Sequence, residues 1–149
     1  MAGARRAPAL HPGRRPRTTL TPTLLLRDGR PSPRWATPGG DQQDQWQLLY
    51  LLRTLVGTYT PQQAIDAPAL HTTSISGSFW PRTWTPGGAV VEDRLGEGVL
   101  PDLRRRGHDV TRAGDWALGR LSAVGRDPDT GVLWAAANPR GAQGYAAGR

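Results

Sequence analysis

Cysteine is absent from the 149 residues, which excludes a disulfide framework, a thiolate metal site and a thiol nucleophile. Lysine is absent too: all 19 positive residues are arginine, a pattern that reads as coding bias rather than as an evolved basic face. The three histidines, His11, His71 and His108, lie far apart and show no i, i+4 pairing with a glutamate, so neither a metal nor a cofactor is expected. No stretch approaches the ~20 apolar residues of a membrane span, and the pair Arg5-Arg6 is followed by no apolar core of an export signal. Membrane is therefore not an expected partner, and the compartment is unknown, cytoplasmic only by default.

Hydrophobic residues make up 37% of the chain, beside 19 glycines and 14 prolines. Such a composition predicts a loop-rich α/β (α+β) piece of one-domain size. The formal charge of +7 is concentrated at the start: Arg5, Arg6, Arg14, Arg15 and Arg17 have no acid among them, and removing those five leaves +2 on the remainder. Residues 1–16 read as a disordered Arg/Pro-rich arm, with phosphate or nucleic-acid contact as the alternative use of its arginines; nucleic acid is not the expected partner. Residues 17–145 read as the folded part and 146–149 as a tail.

In chain order, Thr19 to Leu26 predicts a strand and Asp28-Gly29 a tight turn. Pro31 and Pro33 restrict the returning strand to Arg34–Thr37, placed at an edge. Asp41 to Val56 predicts a helix capped by Asp41 or Asp44 and ended by a left-handed Gly57. Its Leu48, Leu49, Leu52, Leu55 and Val56 share one face, taken as inward, while Gln42, Gln43 and Gln47 point elsewhere. Thr60, Pro61 and Gln63 form a capping box for a second helix stopped at Ala67-Pro68. Leu70–Ile75 and Ala89–Arg94 predict strands around a loop holding Trp80 and Trp84, and the second Thr-Pro-Gly-Gly, at Thr85, is read as a turn only. A helix over Glu97–Arg106, a short strand at Val110-Thr111 and a hairpin of Trp116–Gly125 with Val132–Ala137 complete the pattern.

The stretch from Arg17 to Trp46 carries the chemistry. Thr18, Thr19, Thr21 and Thr23 supply hydroxyls, and Gly39-Gly40 stands at a helix entrance, where backbone N–H groups lack intrahelical partners and no Cβ keeps a ligand away. The natural occupant is an anion or a developing oxyanion, as in acyl transfer, where each preset donor contributes about 3–4 kcal/mol to the transition state. A nucleophile is not evident: there is no Gly-x-Ser-x-Gly elbow or Ser-x-x-Lys motif, and Thr72 and Thr73 read as strand residues.

The series PRTTLTPT from Pro16, TPGGDQQDQW from Thr37, PQQAIDAP from Pro61, RGHDV from Arg106 and DPDTGVLWAAANPRG from Asp127 resembles the C-terminal, small-subunit part of the γ-glutamyltransferases, also called γ-glutamyltranspeptidases or glutathione hydrolases. The resemblance covers roughly Pro16 to Tyr145. It implies a partial, incomplete N-terminal-nucleophile hydrolase αββα sandwich, made as a precursor whose self-cleavage exposes a threonine that attacks a γ-glutamyl amide. It further implies that Thr18 and Thr19 bind the α-carboxylate of the γ-glutamyl group, in place of a more familiar Ser pair, and that Gly39 and Gly40, after Pro38, form the oxyanion hole.

Departures from the family pattern bear on activity. Nothing before Thr18 resembles the processing site, and the large subunit and early small subunit have no counterpart here. The expectation is a fragment whose partners are a γ-glutamyl compound such as glutathione, the missing large subunit and the N-terminal part of the small subunit, and which is inactive, and aggregated or molten, when alone. A basic nucleic-acid-binding module and a noncatalytic anion-binding module are the alternatives.

Overall fold

The computed structural model describes residues 12–15, 18–140 and 145–147. Most of the arm expected at 1–16, and the end of the tail at 148–149, lie outside the described residues. The chain forms two sheets with short helices between them: β1 (Thr23–Arg27), β2 (Arg30–Ala36), a 3-10 turn at Gly40–Gln42, α1 (Gln43–Leu55), α2 (Pro61–Asp66), β3 (Leu70–Thr72), β4 (Gly88–Val91), a 3-10 turn at Asp93–Leu95, α3 (Val99–Arg105), β5 (Asp109–Arg112), β6 (Ser122–Arg126) and β7 (Leu133–Ala136). The four-stranded sheet has the order β1-β2-β6-β7 and is antiparallel throughout; the three-stranded one runs β3-β4-β5, with β4 and β5 parallel. Mixed α/β architecture is thus as expected.

Asp28 and Gly29 both take positive φ, 52° and 74°, which matches a two-residue hairpin turn to the right-handed twist of its strands. The prolines do not confine β2 to Arg34–Thr37 or to an edge. The strand begins at Arg30 and lies between β1 and β6, yet β6 pairs only with Arg34, Trp35 and Ala36. Pro31 and Pro33 sit where β2 has a single neighbour, and the β1 register shifts there between Leu24 and Leu26, so few ladder donors are lost.

Helix α1 is oriented opposite to the expected way. Gln43, Gln47 and Tyr50 are its buried residues, spaced four and three apart as one helical stripe, while Leu48, Leu52, Leu55 and Val56 remain exposed. The reason lies across the interface: Thr21 donates its hydroxyl to Gln43 Oε1 at 2.7 Å, Thr23 donates to Gln47 Oε1, and Gln47 Nε2 donates to the Thr21 carbonyl at 2.6 Å. The hydroxyl-bearing strand entry requires amide partners, and leucines there would leave buried polar groups unsatisfied. Below this polar seam Trp35, Tyr50, Ile65, Leu121, Ala123 and Ala136 form the core, with Leu25, Leu51 and Trp134 against it.

The ends of α1 also differ from expectation. No side chain caps its start, because Asp41 is engaged elsewhere, and the left-handed residue beyond its end is Thr58, φ 57°, rather than Gly57. The capping box of α2 is present: Gln63 N donates to Thr60 Oγ1 at 3.3 Å and Thr60 N to Gln63 Oε1 at 2.9 Å. The second Thr-Pro-Gly-Gly is a turn, closed by Gly88 N donating to the Thr85 carbonyl at 3.0 Å.

Candidate functional site

A cavity of about 380 Å³ opens where the entry to β1, the start of α1 and the segment after β3 meet. Thr18, Thr19 and Gly40 line it together, whereas Gly39, exposed and next in the chain, is not among the lining residues. The entry strand supplies the threonines, while the β2–α1 connection supplies the glycines. Gly39 stands at φ 139° and Gly40 at φ 61°, backbone states that favour glycine. A Cβ on Gly39 would also run into the Trp46 indole, and one on Gly40 would lie 3.2 Å from Phe79.

The rest of the lining is mostly polar, with Ile75 as its apolar side chain. Thr72, Thr73, Ser76 and Ser78 add hydroxyls, and Asp41 and Asp44 add carboxylates; no arginine or histidine lines the cavity among the described residues. Its hydroxyls and N–H groups can donate hydrogen bonds, while Asp41 and Asp44, with no cation beside them among the described lining residues, oppose a negatively charged occupant. Among the described residues no group of three His, Asp or Glu side chains is placed to hold a metal ion, and no helix is long and apolar enough to cross a membrane.

Three supports of this cavity escaped the sequence pattern. Gln45 brackets Thr72, donating to its carbonyl at 3.1 Å and accepting from its N–H at 2.7 Å, which locks β3 against α1. Asp41 accepts from Ser78 N at 2.6 Å and from the Ser78 hydroxyl. The run Asp41-Gln42-Gln43-Asp44-Gln45 is dense in side-chain acceptors directly after the glycines, the one signal that could have pointed to them. His71, read only as one of three scattered histidines, is buried edge-on to Trp46 at 5.7 Å between ring centroids. Burial holds its pKa below the ordinary histidine value, and its Nδ1 and Trp46 Nε1 have no hydrogen-bond partner among the described residues. His71 and Trp46 thus form the packing behind Gly39.

Away from the cavity, Glu92 joins elements distant in sequence. Its fully buried carboxylate accepts from Arg140 Nε at 2.7 Å and Nη2 at 2.8 Å, from Arg94 Nη2 at 3.0 Å, and from the N–H groups of Ala69 and Leu118, each at 3.0 Å. Desolvation by itself would raise the Glu92 pKa; the Arg140 hydrogen bonds, the Leu118 and Ala69 N–H groups and the Arg140 charge outweigh it, so the pKa lies below the ordinary value. Arg140 also donates to the carbonyls of Ile65 and Ala67, groups left open at the end of α2. Nothing in the sequence pattern singled out either partner.

Against known proteins, the model of the family described as Gamma-glutamyltranspeptidase matches residues 2–148. The glutathione hydrolase-like YwrD proenzyme of Bacillus subtilis is 34% identical over 136 residues, 89% of this chain and 24% of that protein. The solved structure of LmbA2991HD superposes with a TM-score of 0.89 at 56% identity, covering 95% of this chain and 25% of that one. The cephalosporin acylase of Bacillus halodurans superposes with a TM-score of 0.76 at 31% identity, covering 93% and 24%. The chain therefore spans about a quarter of the length of these relatives. Motifs in order, a matching architecture and near-complete coverage lead to one conclusion: this chain belongs to the γ-glutamyltranspeptidase family and carries part of its N-terminal-nucleophile hydrolase fold.

Proposed function

We propose that the chain supplies one wall of an acyl-transfer site acting on a γ-glutamyl compound such as glutathione, and that the attacking threonine comes from outside these 149 residues. In this reading Thr18 and Thr19 donate hydroxyl hydrogen bonds to the donor's carboxylate, and the N–H groups of Gly39 and Gly40, at the start of the helical segment, stabilise the tetrahedral oxyanion. The carrying observation is that the adjacent Thr18 and Thr19 line one cavity with Gly40, which follows them by 22 and 21 residues. Relatives whose names include glutathione hydrolase and cephalosporin acylase support amide-bond acyl chemistry. The partners are a large subunit and the N-terminal part of the small subunit, which would close the cavity and bring a cation to the donor's carboxylate.

The sheet favours the same reading. One face of the four-stranded sheet packs on α1 through Trp35, Ala123 and Ala136, while Leu24, Val124 and Leu133 stand exposed; a second layer of the sandwich would cover them. Two measurements test the proposal. The purified chain incubated with a γ-glutamyl anilide releases no aniline, and appreciable turnover would refute the external nucleophile. Glutamate produces a saturable change in tryptophan fluorescence that disappears in a Thr18→Ala/Thr19→Ala double variant; an unchanged response in that variant would remove the carboxylate role of the pair.

A further inference from the structure

Two buried donors on α1 have no part in the function proposed so far. Among the described residues, Trp46 Nε1 and Tyr50 Oη are shut off from solvent and meet no hydrogen-bond partner. They stand four residues apart and so share one stripe of the helix. The Cε3–Cζ3 edge of the Trp46 indole is turned to Gly39, which points Nε1, on the opposite edge of the ring system, away from the cavity of Thr18 and Gly40. Tyr50 is 3% exposed, with its ring 5.3 Å from that of Trp35 between centroids. Burial pushes its pKa up to about 12, so the phenol keeps its proton and remains a donor at neutral pH.

Both residues line a second, much smaller cavity of about 20 Å³, bordered also by Ile65, Gly119 and Asn138. A volume of about 10–15 Å³ is enough for one water molecule, whereas organic ligands take cavities of about 300 Å³ or more. The chemistry of the lining narrows the occupant further. An indole N–H can only donate, so it needs an acceptor. The carbonyls of Ile65 and Gly119, which accept from Arg140 Nη1 at 2.7 Å and from Asn138 Nδ2, each have a second lone pair and can take another donor. A single molecule that both accepts and donates satisfies the two sets together; a halide ion only accepts, and an ammonium ion only donates.

We propose that this cavity is a binding site for one ordered water molecule, which accepts hydrogen bonds from Trp46 Nε1 and Tyr50 Oη and donates to carbonyl groups of the lining residues. The water ties α1 to the end of α2 and to the segment before β6, and so holds the indole against which Gly39 packs. The site is independent of the acyl-transfer reading.

Water-selected NOE and ROE spectra of the 149-residue chain test it. The Trp46 indole proton is expected to show a direct ROE to water, opposite in sign to proton exchange, together with an NOE of the sign that only long-lived bound water gives. Tyr50→Phe keeps the ring and removes one donor; in that variant the cross-peak is expected to weaken about threefold or more, because the water loses one of its anchors. Absence of long-lived water at the Trp46 indole of the parent overturns the site, and so does a cross-peak of undiminished intensity in Tyr50→Phe. The parent spectrum can overturn it alone, so a folding defect in the variant does not shelter it.

Discussion

At Gly39 two requirements coincide, a φ of 139° and the Trp46 ring where a side chain would begin. A single methyl group therefore meets both backbone strain and a clash. Gly39→Ala is expected to lower stability by about 1–3 kcal/mol, read from the shift of a denaturant midpoint; a loss within error would mean that the connection relaxes freely. His71, on the other side of Trp46, carries a pH dependence. Its folded pKa is below the ordinary value of 6.5, so the folded state resists a proton that the unfolded chain accepts. Its contribution is fully present above about pH 6.5 and declines as pH falls through that value toward the folded pKa. Between pH 7.5 and 5.5 the parent chain should lose more stability than His71→Phe. Parallel curves for the two proteins would show that His71 does not titrate in this way.

At the scale of elements, α1 shows how a pattern can be right about a helix and wrong about its orientation. The leucine spacing correctly marks a helix, and the hydroxyls of Thr21 and Thr23 decide which side of it faces the sheet. Gln47→Leu should therefore destabilise, by about 1–3 kcal/mol for the hydroxyl and carbonyl groups left unpaired, although it adds apolar character. Leu52→Gln, on the exposed face, should change stability by no more than about 0.5 kcal/mol in the same urea titration. The reverse order would restore the leucine-inward helix. Other elements were legible because their signals are local: a positive-φ Asp-Gly turn, a Thr-Pro-x-Gln capping box, a Gly-closed turn at Thr85. Strand limits were less so, as in β3, which ends at Thr72 rather than at Ile75, because ladder length depends on where the neighbouring strand departs.

At the scale of the molecule, α1 and α2 pack on one side of the four-stranded sheet, and among the described residues the other side is left largely open. Leu24 is 50% exposed, Val124 50% and Leu133 67%, apolar side chains interrupted by the exposed Arg34 and Arg126 in register beside them, and exposed apolar groups of this kind make proteins associate. The chain alone is expected to bind a hydrophobic dye and to sediment as concentration-dependent oligomers, and a Leu24→Glu/Val124→Glu variant to do both less. A parent chain that is monomeric at all concentrations and silent to the dye would show that the face is self-sufficient. The Glu92–Arg140 pair belongs to this scale as well, since it links α2, the turn after β4, the approach to β6 and the segment after β7. Removing one partner of such a pair strands the other charge out of water.

Family membership was accessible from the sequence, because short ordered motifs survive as strings of letters, and the glycine pair and threonine run suggested a chemistry locally. The common cavity of Thr18, Thr19 and Gly40 came only from the tertiary structure, as did the hold of Asp41 on Ser78, the inward turn of Gln43 and Gln47, and the burial of Glu92 with Arg140. Each of these depends on which polar group faces another after the chain has turned back on itself. The cost of leaving such a group unpaired is determined by its neighbour in space, and neighbours 21, 37 or 48 residues apart are not encoded in any local spacing.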